Sequence, residues 1–465
     1  MPELTDIAGG PERVLYLAVS ESEGEQGVRA FEAVSDPSGA GAMPVLDLDA
    51  PLADESRYPL AAGLIPDSGC ALIPLLATAW ELTDAGGLLC LLHSGRLSTK
   101  EGEPEAGTRL KRLASRCGFE WVERRLRPDA DSGPSRLELF RRIDEQRWRV
   151  GDAGRRHRQA LKSLFQSCFG QAISDQLWDW KYGGGRGCGT VVWHGGHIVA
   201  HYGVISRRAR FRGRETRIWQ VGDVMVEPSE RAAFTKRGPF FLASASCNDA
   251  CLAFDRAHLI GVGFPNERAM RLAERLGIYA DGGGVLELRW DLTAPQTSAK
   301  LRLQTLTGSE GSRQRRRVDR LAARMGADFR QGIMVLRDWA FLRQRYFGHP
   351  HIDYRVTLAT DRLGLRTLGI LVLNCPGDDC ELVDLIGPVA QFPRLVAGAR
   401  DLARRAGCRR LQAWIASGYG SLLSDTGAEV SQTEVRVPTS CWAPGPAAEQ
   451  IRDRWWLTFG DTDFH

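Results

Sequence analysis

A chain of 465 residues, 43% hydrophobic and 25% charged, has apolar side chains for several cores and too little polar bias for disorder, so three globular domains are expected. Lys and Arg exceed Asp and Glu by 61 − 57 = 4, which falls short of the dense positive field a nucleic-acid duplex requires, so no nucleic-acid partner is expected. No run of about twenty apolar residues occurs, so no membrane insertion is expected, and the acidic, glycine-bearing Met1 to Gly10 stretch lacks the look of a secretory leader, which suggests a cytoplasmic protein.

The first elements read as an α/β unit over residues 1–140. Val14 to Val19 is an apolar run of strand length, Val45 to Asp49 alternates, Leu75 to Leu82 is helical, and Gly87 to Leu92 reads as a buried strand. Strands alternating with helices imply a partly parallel sheet. This order, with Asp84 to Gly87 and then Leu113 to Glu120, resembles the second half of a class I methyltransferase-like fold. Such an enzyme needs a glycine-rich turn after its first strand, where backbone must approach the cofactor closely. Here that strand runs into Ser20-Glu21-Ser22-Glu23, so a degenerate unit is expected.

Pro128 to Ser135 is a linker edge, and a second boundary falls near Thr305 to Arg317. The run Arg313 to Arg317 is expected to be a solvated helix start or linker. Between these boundaries, residues 141–300 read as strand, helix, hairpin, long strand, helix, strand, helix, strand. Gly195-Gly196, between Val191 to Trp193 and His197 to His201, is a two-residue hairpin signal. Residues 301–465 repeat the outline: Trp178 to Tyr182 has a counterpart in Trp339 with Arg345-Tyr346, and Gln220 to Val226 has one in Leu382 to Ile386. In each strand an Asp, Asp223 or Asp384, sits among apolar neighbours, and Pro228 or Pro388 follows. A tandem duplication is the expected architecture.

The order of elements from Arg147 to Trp290 resembles the GNAT superfamily of acyltransferases, particularly its bacterial members with paired domains. The motifs that carry the likeness are Trp178-Asp179-Trp180-Lys181-Tyr182, Val226 through Pro228 to Arg231, Phe264 to Ala269, and Leu276 to Tyr279. The fold class expected is therefore α/β (α+β), with tandem GNAT domains, mixed and mostly antiparallel sheets, and a small Rossmann-like amino-terminal domain.

The resemblance implies acetyl-coenzyme A, or another acyl-coenzyme A, as co-substrate and a small-molecule amine as acceptor, an amino sugar or polysaccharide precursor by analogy with paired-domain relatives. It also implies that Val224, Met225 and Val226 lend a backbone edge to the pantetheine arm, as a sheet edge does for an added strand. Arg231, Ala232, Ala233, Lys236, Arg237, Gly238, Pro239 and Phe240 would receive the pyrophosphate, because a helix N-terminus aims N–H groups at an anion. Asn266 either bonds the arm or caps the next helix.

Asp223 is the candidate base. The tyrosine that many family members place in the last helix as an acid is replaced by Ala273, leaving Tyr279 or Tyr202 as substitutes. Trp180, Tyr182 and His201 are candidate acceptor contacts, with tryptophan packing in the core the alternative for the first. His194, His197 and His201 lack metal-ligand spacing. Eleven cysteines with no C-x-x-C pair read as reduced thiols, and Cys375 with Cys380 offers half a zinc site without a second half, so no metal is expected. The rival functional classes are a non-catalytic scaffold and an S-adenosylmethionine-dependent methyltransferase. The second segment, with Val389 to Arg394 where a basic glycine loop would stand, is expected to scaffold. Oligomeric state has no signature here.

Overall fold

A computed structural model describes residues 13–22, 25–34, 45–46, 57–64, 71–93, 103–127, 135–232, 235–252, 258–293 and 299–462. Ala233, the stretch Asp47 to Asp49 and most of the Pro128 to Ser135 linker lie outside the described residues. The chain divides into two units: Met1–Ile173, Tyr182–Val204 and Asp223–Leu252 form one, and Ser174–Lys181, Ile205–Gly222 and Ala253–His465 the other.

The first unit opens on a sheet of β1 (Arg13–Ser22), β2 (Glu25–Val34), β3 (Val45–Leu46), β4 (Tyr58–Leu64), β5 (Thr83–His93), β6 (Phe119–Arg127) and β7 (Ser135–Arg142). Their order is β3-β2-β1-β4-β5-β7-β6. β1, β4 and β5 run parallel, with α1 (Leu72–Leu82) crossing from β4 to β5, whereas β1 returns as β2 in an antiparallel hairpin. α1 is apolar on most of its faces and buries Leu72, Ile73, Leu75, Leu76 and Leu82. α2 (Glu103–Arg116) precedes the antiparallel β6–β7 pair.

After this sheet come β8 (Arg149–Asp152), α3 (Arg158–Phe169), α4 (Asp175–Tyr182), β9 (Gly187–His194), β10 (His197–Phe211), β11 (Arg214–Val226) and α5 (Pro239–Cys251). Gly195 and Gly196 take φ of 55° and 80°, a pair of left-handed residues that glycine supplies without steric penalty, and this fixes the β9–β10 hairpin. α5 is buried along almost its whole length, so its one carboxylate needs partners. Asp249 receives Arg112 of α2 in a two-pronged contact at 3.0 and 2.6 Å, and Arg116 at 2.9 Å. The guanidinium groups of Arg142 and Arg149 lie 3.9 and 3.7 Å from the ring centroid of Trp80 of α1, and Trp80 Nε1 donates to the Ile143 carbonyl at 3.2 Å.

The second unit takes in α4 up to Lys181 and the parts of β10 and β11 within Ile205–Gly222, and adds β12 (Gly261–Val262), α6 (Glu267–Arg275), β13 (Tyr279–Asp291), β14 (Arg302–Thr305), α7 (Ser312–Asp328), β15 (Ile333–Val335) and α8 (Trp339–Leu342). Next come β16 (Arg355–Thr360), β17 (Thr367–Asn374), β18 (Asp379–Ile386), α9 (Phe392–Arg405), β19 (Arg410–Ala416), β20 (Glu429–Ser440) and β21 (Trp455–Trp456). Its large sheet has the order β14-β16-β17-β18-β19-β13-β20, antiparallel except between β18 and β19. The expected class, α/β with mixed and mostly antiparallel sheets, is the one found.

Several local expectations change. The strand expected over Leu259 to Phe264 shortens to Gly261–Val262, paired parallel with Trp219 and Gln220 only. β13, the last strand of the 141–300 segment, lies between β19 and β20. The arginine run starts α7, as a solvated helix start. Cys375 and Cys380 are not free thiols: they stand across the β17–β18 turn with Cα atoms 4.2 Å apart and are joined as a disulfide. No described helix is long and apolar enough to cross a membrane.

Candidate active site

β11 is irregular at one residue. Asp223 takes φ of +47°, a left-handed conformation that a non-glycine residue holds at roughly 1–3 kcal/mol and only when its surroundings enforce it. Two contacts enforce it here. The Tyr182 phenol donates to Asp223 Oδ2 at 2.7 Å, and His201 Nδ1 donates to the Asp223 carbonyl at 2.9 Å. Gly189 leaves room for that ring, since a Cβ there would stand 2.4 Å from His201 Nε2.

Beyond Asp223 the strand becomes accessible. Val224 is exposed, Met225 is buried and Val226 is half-buried. The parallel ladder of β11 with β12 has ended at Gln220, so these three residues lie past its last pair. The Val226 carbonyl is already engaged, accepting from Arg231 Nε at 2.9 Å and from the Cys168 thiol at 3.3 Å. Burial pushes the Cys168 thiol up, so it stays protonated and remains a donor.

A short helical turn, Pro228–Glu230, leads into the loop before α5. Glu230 is held by Trp148 Nε1 at 3.1 Å and by His194 at 2.5 Å. Ala232, Lys236 and Arg237 are exposed, and among the described residues neither Lys236 nor Arg237 has a carboxylate partner. Gly238 is the N-cap of α5 with Pro239 in the first turn, and no side chain caps the helix. Proline has no N–H, so the amides of Phe240 and Phe241 are the donors this end offers. A basic loop and a helix N-terminus without a side-chain cap fit a multiply charged anion.

The remaining candidates fall elsewhere. His201 and Tyr202 are each 1% exposed, so neither ring lines an open surface as expected; His201 instead supports the backbone at Asp223. Trp180 is buried, donates to the Gln344 carbonyl at 2.7 Å and carries Arg345 5.5 Å from its ring, which makes it a core residue and not an acceptor platform. Asn266, in the second unit, accepts from the Ala269 N–H at 2.9 Å as the N-cap of α6, the structural of its two expected roles. Tyr279, also in the second unit, is buried at the start of β13, and Ala273 is fully buried in α6.

The second unit builds the same motif and then fills it. Tyr346 donates to Asp384 Oδ2 at 2.7 Å, and β18 is bulged between Leu382 and Asp384. β18 and β19 pair only from Asp379 to Glu381 and then part. Into that fork comes the chain's own Thr458 to Thr462 turn. Thr458 Oγ1 donates to Asp384 at 3.2 Å, Phe459 stacks on Trp414 of β19 at 4.7 Å, and Arg345 donates to the carbonyls of Gly460 and Thr462.

Arg337, wholly buried, joins Asp384 at 2.9 Å and Asp461 at 2.5 Å. Burial works against its charge, but the two carboxylates outweigh it and raise its pKa. Burial, then Asp384, pushes the Tyr346 phenol well up, so the pair is a fixed structural contact. A second short turn, Val389–Gln391, passes directly into α9, with no basic loop between them.

No family model and no curated protein matches the sequence. Among solved structures the chain is similar to a conserved protein of unknown function from Enterococcus faecalis V583, described as a probable N-acyltransferase, at TM-score 0.51 and 11% identity over 64% of this chain and 73% of that one. The likeness is one of fold. GCN5-related N-acetyltransferases also align: one from Anabaena variabilis ATCC 29413 at TM-score 0.48, 14% identity and 64% and 73% coverage, and one from Kribbella flavida at 0.46, 16% and 63% and 70%.

Tyr182 is the residue whose role the sequence left undeveloped. It was a candidate acceptor contact, and the structure joins it to the candidate base. The signal was present, because Tyr182 and Tyr346 precede their repeats' aspartates in the same order.

Proposed function

We propose that the chain is an acyl-coenzyme A-dependent N-acyltransferase, using acetyl-coenzyme A and acting in the cytoplasm on a small-molecule amine of the amino-sugar or polysaccharide-precursor class. The observation that carries this reading is the contrast between the two copies. The first keeps a strand end with an exposed residue, a basic loop and an uncapped helix start, while the second plugs its fork with Thr458 to Thr462 and has no loop.

The coenzyme would supply an activated acyl group: the acceptor nitrogen would bond the acyl carbon as the carbon–sulfur bond breaks, the sulfur leaving as thiolate and taking up a proton from solvent or the one that Asp223 received from the amine. Arg231, Lys236, Arg237 and the amides of Phe240 and Phe241 hold the diphosphate. Val224 and Met225 offer backbone to the pantetheine arm. Asp223 takes the proton the amine loses, directly or through water, and Tyr182 fixes the carboxylate in place. His201 is a positioning residue beneath it.

A second reading, a non-catalytic scaffold, is favoured by one observation: the buried Ala273 stands where relatives carry an acid. Assaying free thiol release from acetyl-coenzyme A against a panel of amino sugars and small amines separates the two. Turnover with one acceptor supports the enzyme, whereas bound coenzyme without turnover on any amine supports the scaffold. A methyltransferase reading gains nothing from the amino-terminal sheet. Its order supports a degenerate relative of that fold, and β1 turns straight back as β2 where a methyl donor would need a glycine-rich turn into a helix.

A further inference from the structure

Three sulfurs meet at one end of the large sheet of the second unit. Cys375 follows β17, Cys380 is the second residue of β18, and Cys408 lies just before β19. Their sulfur atoms all fall within 4.8 Å of one another, the one cluster of three potential metal-ligand side chains among the described residues. Cys380 and Cys408 are 0% and 5% exposed, and Cys375 is the most accessible of the three.

Backbone pairing sets the cluster. Cys380 pairs with Leu411 in the parallel β18–β19 ladder, the Arg409 N–H donates to the Asp378 carbonyl at 2.7 Å, and the Cys408 thiol lies 3.5 Å from the Gly377 carbonyl. Turn and loop therefore present their sulfurs to a common point.

A disulfide serving only as a staple gains nothing from this arrangement. The bond between Cys375 and Cys380 closes a sequence separation of 5, which removes little chain entropy. A third thiol beside it exposes the bond to exchange. Three thiolates converging from a turn and an adjacent strand have a direct use as ligands of a soft cation. Tetrahedral zinc with bonds of about 2.3 Å places its sulfurs roughly 3.8 Å apart, inside the 4.8 Å span of this cluster, and the geometry is reached when the disulfide opens and the Cys375 and Cys380 sulfurs part from bonded distance.

We propose that Cys375, Cys380 and Cys408, when reduced, bind one thiophilic divalent cation of the zinc class, with the fourth position left open on the side of the more accessible Cys375. The Cys375–Cys380 disulfide is then the oxidised, cation-free state of the same site. In the oxidation, the two thiols lose two protons and two electrons to a peroxide or a disulfide oxidant as the sulfur–sulfur bond forms. A dithiol or phosphine reductant returns both and restores the ligands.

The test uses the full chain, reduced with a phosphine and desalted, then titrated with cadmium while thiolate-to-metal absorption is followed, and with zinc in a competition. The expected result is one cation per chain, protection of three thiols from alkylation, and at least ~100-fold weaker binding for Cys408→Ser. Should that variant fail to fold, the disulfide form of the unaltered protein serves as the comparison and is expected not to bind. Reduced protein that takes up neither cadmium nor zinc at micromolar concentration overturns the proposal, as does Cys408→Ser binding with undiminished affinity.

Discussion

Tyr182 Oη donates to Asp223 Oδ2 at 2.7 Å, and the pair sits where β11 leaves regular geometry. Tyr346 and Asp384 reproduce it at the same 2.7 Å, but there the aspartate is 1% exposed and tied to a buried arginine. One constellation is thus used twice, half-buried in the first copy and sealed in the second. That difference in solvent access turns the first pair into candidate chemistry and leaves the second as architecture.

Substituting Asp223→Asn is expected to lower the acyl-transfer rate by about 10²–10⁴-fold while coenzyme affinity stays within a few-fold. Tyr182→Phe is expected to lower the rate less, since the carboxylate remains and loses only the phenol that fixes its position. Steady-state rates with calorimetric affinities check both.

Tyr346→Phe touches no candidate chemistry. It removes one hydrogen bond to a buried carboxylate, so a loss of roughly 1.5–3 kcal/mol in stability is expected, with rate and coenzyme affinity per folded molecule unchanged. Arg337→Met is expected to be more severe, about 3–5 kcal/mol, because Asp384 and Asp461 would be left buried without their cation. Chemical denaturation of both variants measures this.

Asp249→Ala should loosen α5 at its far end by leaving Arg112 and Arg116 without their carboxylate, at about 3 kcal/mol. Because α5 also presents its N-terminus to the proposed coenzyme site, the same variant is expected to weaken coenzyme binding, read by calorimetry against the folded fraction.

Burial, and secondarily Arg217, lowers His258 to about 3, while the ring stacks on Trp219 at 3.7 Å. An unfolded histidine titrates near 6.5, so between these values the unfolded chain binds the extra proton. The stability contributed by the neutral ring is complete above about pH 6.5 and is lost progressively as pH falls toward 3. His258→Phe is expected to flatten that acid dependence, as measured by melting temperature from pH 7 to pH 4.

Much of this was legible because it is local. Gly195-Gly196 encodes its hairpin through two positive φ values, the aromatic Trp178 to Tyr182 stretch encodes a buried helix, and Arg313 to Arg317 encodes a helix start. What escaped is non-local. Nothing in Tyr279 to Asp291 says that β13 will lie between β19 and β20, because strand partners are chosen by the whole sheet. The apolar stretch Leu259 to Phe264 reads as a full strand, yet only Gly261 and Val262 pair before the ladder ends. His201 reads as a cleft residue on residue type alone, and burial against Gly189 with a hydrogen bond to the Asp223 carbonyl gives it another task. The filling of the second fork by Thr458 to Thr462 needed coordinates, since some 75 residues separate Asp384 from Thr458.

The loop before α5 and the end of β11 are the proposed seat of the coenzyme. Isothermal titration of acetyl-coenzyme A into the full chain, beside the Lys236→Ala/Arg237→Ala variant, probes that seat. One saturable site per chain below about 1 mM is expected, weakened at least about tenfold by the double substitution. Absence of binding at millimolar coenzyme, or equal affinity in the variant, would contradict it.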